Sequence, residues 1–562
     1  MKGYKHEIAT RRKIRSSFLF FLALTLLLVI VTIFSYPITA VTMFKSITST
    51  IYALTIISAL YSGANAGHSH PQQVRDNGNS ILNKGLNPDI FHYLGQYSPR
   101  YTVKDDSTSV PHGCHVEVVN TLERHGARYM TNSALTSANA TLVKIQNALN
   151  KSQNVSSDLV FLKNASLLTG TNDLVPYGAL QAYYSGRSTA ATYPSLTHVA
   201  PFVRGSGDLD DLNDRVILTA RYWRLGFEGK PFPSGSFVNS ADVRSAAQHI
   251  PNTDLNISEK DGQNNTLDVS TCTNFENVPS SKGEKGAQQS FAQTTILPII
   301  GTRLQNRLIQ SGAPQNFNLT GTDLINLATI CSFETLGRAS VQDGKLNISQ
   351  SPFCNLFNST EWPIFGYAFD VGKWQGVGYG SQYYKANGQG YLRELLARFT
   401  DKAPPLADPT SLNTTLDGSS KTFPLPSKEK GPVVYFDGSH DNNIAPIVAA
   451  ASLFNGPALT TDYNAQAKPH NWYFSHIAPL QGKVVFEKIS CQPHKSEYIR
   501  IRANDATLDP KTYCGTSEDN DQHHGKQHKH HGKYYKQLCP LNKFVDQLAF
   551  VETDTEWNKC YS

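Results

Sequence analysis

The stretch CHVEVVNTL, Cys114 to Leu122, alternates apolar and polar positions and then runs directly into Arg124-His125-Gly126-Ala127-Arg128. Val116 and Val118, closed by Val119, carry the period of a β-strand. The same grammar returns far downstream in GPVVYFDGSHDNNIAPIVAAASL. There Val433 to Phe436 read as a short apolar strand, Gly438 breaks it, and Asn443 to Leu453 read as a buried helix. Strand, charged turn, helix is how open α/β sheets place ligands at the carboxyl ends of their strands. The intervening chain is helix-like, as in QQSFAQTTILPIIGTRLQNRLI and YLRELLARF. The expected fold is therefore α/β: a central mixed sheet with flanking helices plus an inserted helical domain, roughly 131–200 and 286–400. No internal repeat appears, and the Pro/Ser/Thr-rich run Asp401 to Ser420 reads as a surface loop, not a domain boundary.

Two arginines and a histidine within five residues repel one another unless something negative lies among them. A short basic run alone is usually a solvated turn, so the rest of the chain must decide. The net charge of +6 is too mild to steer nucleic acid, and no basic stripe with interleaved aromatics appears. The chain also carries 18 histidines, which make it far more cationic in acid.

The first 66 residues read as targeting sequence. RRKIR precedes an uncharged run, Phe18 to Phe34, slightly short for a membrane span. A second leader begins at Met43, with an apolar core and Ala64-Asn65-Ala66 as a small-x-small cleavage site. The favoured reading is a signal peptide over 43–66. The alternative starts at Met1, with Phe18 to Phe34 as a signal anchor. Both export everything after Gly67. All eight cysteines follow the leader, and no CxxC pair occurs, so structural disulfides are the default and their pairing stays open. Ten Asn-x-Ser/Thr sequons, at Asn139, Asn150, Asn154, Asn164, Asn256, Asn264, Asn318, Asn347, Asn358 and Asn413, point to a glycosylated secreted protein.

RHGAR after one strand and a distant His440-Asp441 after another resemble the histidine acid phosphatases, above all the secreted fungal phytases and acid phosphatases. The likeness runs through nearly the whole chain after the leader. LGQYSP (Leu94 to Pro99), CSFET and SPFCNLF (Cys331 to Phe357), GYLRELLARF (Gly390 to Phe399) and CQPHKSEYIRIRAND (Cys491 to Asp505) follow in the family's order. The resemblance implies a phosphoglycerate-mutase-like core over 67–562 and hydrolysis of phosphate monoesters, phytate included.

Elementary chemistry agrees. A phosphate dianion needs several donors, and arginine's planar fork supplies bidentate pairs. Arg124 and Arg128 bracket His125, and Gly126 is expected to let the backbone approach closely. His125 is the natural nucleophile, forming a phosphohistidine that water cleaves. With arginines stabilising charge, neither metal nor cofactor is required. By resemblance, His440 is a phosphate donor and Asp441 the acid that protonates the leaving oxygen, favouring acidic pH unless burial raises its pKa. The family's mid-chain arginine is assigned to Arg215 in DRVILTARYW, with Arg204 the runner-up and DLDDLN inserted between them. The resemblance also implies the pairs Cys114–Cys491, Cys272–Cys560, Cys331–Cys354 and Cys514–Cys539.

Three departures stand out. Met130 replaces the family's usual proline after RHGAR. No lysine follows RHGAR before Lys144, which weighs toward a broad phosphomonoesterase over a dedicated 3-phytase, unless cations elsewhere, such as Lys373, complete the pocket. His523, His524, His528, His530 and His531 lie where the family loop is short, and they read as a disordered, pH-charged loop, with a zinc or copper site the alternative. The rival classes are a phosphoglycerate-mutase-like phosphotransferase and a non-catalytic cell-surface protein. The expected partners are small phosphorylated substrates.

Overall fold

The computed structural model describes residues 79–207, 214–260, 265–401, 423–426, 431–462, 468–515, 537–553 and 555–561. The leader segments, the 208–213 insertion, residues 402–420 of the Pro/Ser/Thr-rich loop, Asn264, Asn413 and the histidine-rich run 523–531 lie outside the described residues.

Among the described residues the main sheet has eight strands. Its centre is β1 (Cys114–Arg124), flanked in parallel by β7 (Val434–Ser439) and antiparallel by β8 (Lys483–Cys491). Beyond β7 lie β2 (Phe202–Ser206) and β4 (Leu255–Ile257), both parallel. Beyond β8 lie β9 (Ser496–Ala503), β10 (Ala506–Thr507) and β11 (Cys539–Pro540), all antiparallel. The sheet is mixed, as expected. A separate small sheet joins β3 (Ser236–Phe237), β5 (Ser340–Gln342) and β6 (Lys345–Asn347).

Both central strands run further than their apolar pattern. β1 continues through Arg124, whose backbone N–H donates to Gly482 O at 2.9 Å, and a register shift between Val116 and Val118 ends the alternation there. Gly438 does not break β7, which passes through it to Ser439. A Cβ at Gly438 would stand 3.1 Å from Val216 Cγ1 and 3.2 Å from Phe436 Cε1, so the glycine admits the helix packed on this strand.

Among the described residues, the helices that bear on the site and its surroundings are α1 (Asn132–Leu149), α2 (Pro176–Thr192), α3 (Arg215–Phe227), α4 (Glu284–Phe291), α5 (Thr302–Gln310), α6 (Gly321–Gly337), α7 (Trp362–Gly376), α8 (Tyr384–Thr400) and α9 (Asp441–Ala450). The QQSFAQTTILPIIG stretch is not one α-helix. A π-helical segment, Ala292–Gly301, joins α4 to α5 around Pro298, whose ring and missing N–H prevent a regular turn. The downstream helix starts at Asp441 instead of Asn443, because His440 already has extended backbone in the N-cap position. It ends at Ala450, and Ser452 follows in the left-handed region at φ 62°.

The disulfides are Cys114–Cys491, Cys272–Cys560, Cys331–Cys354 and Cys514–Cys539, the pairing that the resemblance implies. Cys114 and Cys491 are direct register partners, so the first clamps β1 to β8.

Beneath the carboxyl ends of the parallel strands sits a buried ionic network. Asp437 of β7 accepts from Arg204 Nε at 2.5 Å, Arg398 Nη1 at 2.7 Å, Tyr391 OH at 2.9 Å and Asn120 Nδ2 at 3.0 Å. Burial alone would raise its pKa, but Arg204 and Arg398 hold it well below the carboxylate range. Arg204 also pairs with Glu394 and is fully buried. Removing one member strands the others: Asp437→Ala should cost about 3–5 kcal/mol, read as a lowered urea midpoint. A loss below about 1 kcal/mol would mean water solvates the network.

Candidate active site

Three adjacent parallel strands end side by side and each hands the chain to a candidate residue. β1 ends at Arg124 opposite Ser439, the last residue of β7, so His125 and His440 emerge together. Arg215 opens the helix that follows β2, its N-terminus capped by Asp214 Oδ1, which accepts from Val216 N at 2.7 Å. The rings of His125 and His440 lie 5.4 Å apart, edge to face. Arg215 Nη2 donates to His440 Nδ1 at 3.3 Å.

Backbone hydrogen bonds pin the loop after β1. His125 N–H donates to Ser439 O at 3.1 Å and Gln481 N–H to His125 O at 3.0 Å. Gly126 N–H donates to Thr219 Oγ1, and Ala127 N–H to Gln181 Oε1, both at 3.0 Å. A Cβ on Gly126 would lie 2.5 Å from Gly178 O. The close approach that this glycine permits is to α2. Met130 is buried and its carbonyl accepts from Asn172 N–H at 2.9 Å, so the turn closes without proline.

His125 Nδ1 lies 2.8 Å from Gly126 O. Nδ1–H donates there, which leaves the Nε2 lone pair free. Burial, then the charges of Arg124, Arg215 and Arg128, push the His125 pKa well below 6.5. The imidazole therefore stays neutral in acid that would charge an ordinary histidine.

The arginines are held but not saturated. Arg124 donates to Gln96 O and Ala478 O and lies 3.3 Å from Asp441 Oδ1. Arg128 donates to Tyr129 O at 2.7 Å, and burial with Arg215 and Arg124 lowers its pKa to about 9. Arg215 lies 3.5 Å from Asp214 Oδ2. Each of the three retains a buried Nε–H without an acceptor among the described residues. Such donors are expensive to leave unmade, and an oxyanion would satisfy them. The runner-up Arg204 is kept out of this cluster by Asp437 and Glu394.

Asp441 behaves contrary to one expectation. Burial alone would raise its pKa, but Arg124 and Lys373, the latter 2.8 Å from Oδ2, hold it well below the carboxylate range. Its place in the first turn of α9 favours the ionised form further.

Two groups escaped the sequence reading as site members. Glu259, just beyond β4, accepts from His440 Nε2–H at 2.8 Å and from Ser206 Oγ at 2.6 Å. Burial alone would raise its carboxyl; His440 and its hydrogen bonds lower it to about 2. A carboxylate after a parallel strand was the available signal. Lys373, foreseen only as a reserve cation, is 3% exposed on α7 and also pairs with Glu284 at 2.9 Å. Burial opposes its charge, but Asp441 and Glu284 raise its pKa. Lys144, by contrast, is spent on Asp323 at 2.7 Å.

The chain is similar to known proteins over most of its length. Residues 115–504 match the histidine phosphatase superfamily (branch 2). The chain is 31% identical over 482 residues to Phytase A of Aspergillus fumigatus, covering 84% of this chain and 91% of that one. It is 32% identical over 513 residues to Phytase A of Aspergillus awamori, covering 89% and 97%. The solved phytase of D. castellii shares the fold at a TM-score of 0.58 and 19% identity, covering 89% of this chain and 91% of that one. The protein belongs to the histidine phosphatase superfamily, in its second branch.

Proposed function

We propose that this protein is an exported acid phosphatase that hydrolyses phosphate monoesters, phytate among them, through a phosphohistidine on His125. The observation that carries the reading is a buried imidazole kept neutral in acid with its Nε2 lone pair free, beside three arginines with unmet donors. In the first step Nε2 attacks phosphorus, the P–O ester bond breaks, and the leaving oxygen takes a proton from Asp441. In the second, water attacks phosphorus, its proton returns to Asp441, and the N–P bond breaks to release phosphate and free His125. Arg124, Arg128 and Arg215 hold the non-bridging oxygens, and His440, oriented by its Nε2–H on Glu259, is the fourth phosphate contact.

The ionised Asp441 must gain its proton before it can act as the acid. A bound phosphoryl dianion draws on Arg124 and adds negative charge beside Asp441, and both effects raise its pKa. Sulfate, which stays dianionic near pH ~5, isolates the effect. Sulfate binding should take up protons, seen as binding heats that change with the buffer's ionisation enthalpy, and Asp441→Asn should take up fewer. Equal uptake by both proteins would place the proton elsewhere.

The substrate range follows from where the cations lie. With Lys144 engaged by Asp323, the helix after RHGAR offers no spare lysine, which favours a broad phosphomonoesterase. A dedicated phytase is the second reading, favoured by Lys373 beside Asp441. Initial rates on phytate and on an aryl monoester from pH ~3 to ~7 separate the two. Rates on both should rise from neutral pH into acid, with comparable kcat/KM. A strong preference for phytate would install the second reading, and no phosphate release from either would sink both.

The relatives named Phytase A, the four disulfides and the exposed positions of Asn139, Asn150, Asn154, Asn164, Asn318, Asn347 and Asn358 support export and glycosylation. Asn256 is partly buried in β4 and accepts from Thr253 Oγ1 at 2.5 Å, which makes it a poor acceptor. No helix among the described residues is long and apolar enough to cross a membrane.

A further inference from the structure

On the face of the sheet that α2 covers lies a charged cavity that the chemistry above does not use. It is lined by Thr189 and Tyr193 near the end of α2, Lys483 at the start of β8, Arg502 of β9 and Asp505 beyond it. Its interior is about 20 Å³, room for little more than one water-sized particle.

The charges around it do not balance locally. Lys483 is 6% exposed, and its Nζ has no carboxylate at ion-pair distance and no hydrogen-bond acceptor among the described residues. Arg502 spends Nη2 on Asp505 O at 2.8 Å and Asp106 O at 3.3 Å, while its buried Nε–H has no acceptor among the described residues. The Asp505 carboxylate already accepts from Arg100 Nη1 and Thr102 Oγ1, both at 3.1 Å. Glu487, which accepts from Tyr193 OH at 2.6 Å, is neutralised by its pair with Arg500, and Glu123 is bonded to Gln481 Nε2, with burial pushing it toward its neutral form. Three cations (Arg100, Lys483, Arg502) thus face two carboxyls, an excess of one positive charge, or two if Glu123 is protonated. Burial, then Arg100, lowers the Lys483 pKa to about 8, so it remains an ammonium throughout the acid range.

We propose that this cavity binds one small monovalent anion of halide size, held between Lys483 Nζ and Arg502 Nε. The site would brace the active loop from behind. Gly482, next to Lys483, accepts from Arg124 N–H at 2.9 Å, and Gln481 N–H holds His125 O. An anion bound only by the folded protein raises its stability by mass action.

Thermal unfolding in sodium chloride against sodium gluconate at equal ionic strength tests the proposal, gluconate being too large for the cavity. Chloride should give a saturating rise in the midpoint, and Lys483→Met should lose that rise. A wild-type crystal soaked in sodium bromide gives a reading that no variant can spoil, with an anomalous peak expected between Lys483 and Arg502. Equal midpoints in the two salts, an unchanged chloride response in Lys483→Met, or no bromide peak at that place would overturn the proposal and leave a water in the cavity.

Discussion

His125→Ala should lose roughly 10⁴–10⁶-fold in kcat on every phosphate monoester, the scale on which removing a covalent nucleophile acts. The protein should still fold. The loop is held through backbone groups, with His125 N–H on Ser439 O and Gln481 N–H on His125 O, and alanine keeps both. The imidazole is also a buried base among cations, so deleting it removes no favourable charge pair. The unfolding midpoint should therefore stay within a few degrees of wild type, roughly the shift expected from about 1 kcal/mol. Retention of more than about a hundredth of the wild-type rate would mean that water, not His125, attacks phosphorus.

Asp441→Asn should divide substrates by their leaving groups. Alkoxides leave badly without a proton, so alkyl and inositol phosphates should slow by ~10²–10⁴-fold. Activated aryl phosphates, which leave as stable phenoxides, should slow much less. The variant also removes the negative partner that Arg124 and Lys373 share, and Lys373 keeps Glu284. Ground-state binding of phosphate should therefore hold or tighten, while kcat on alkyl esters falls. Equal losses on both substrate classes would assign Asp441 an orienting role in place of proton donation.

The parts of this site written as contiguous sequence were legible; those made by tertiary contact were not. The apolar alternation before Arg124 marked β1, and the second strand-turn-helix marked β7 with His440 and Asp441. The far end of β7 was missed because glycine reads as a break, and only the helix packed on Gly438 shows why it is there. The DRVILTARYW motif favours Arg215 over Arg204, although the insertion at 208–213 separates the two. What divides them is the company each keeps, His440 and Asp214 for one, Asp437 and Glu394 for the other. Lys373 sits on α7 and has no spacing signal linking it to Asp441, although it touches it. The ionised state of Asp441 follows from those contacts and was invisible for the same reason.

The central claim is that phosphate passes through His125, and trapping the intermediate tests it most directly. Wild-type enzyme mixed with a fast aryl phosphate, quenched in milliseconds with denaturant at alkaline pH, where phosphohistidine survives, should yield one phosphorylated peptide. Mass spectrometry should place the phosphate on His125, and the label should disappear on chase with unlabelled substrate at the rate of turnover. A wild-type enzyme that turns over rapidly yet never carries phosphate on His125, or carries it on another residue, would contradict the account.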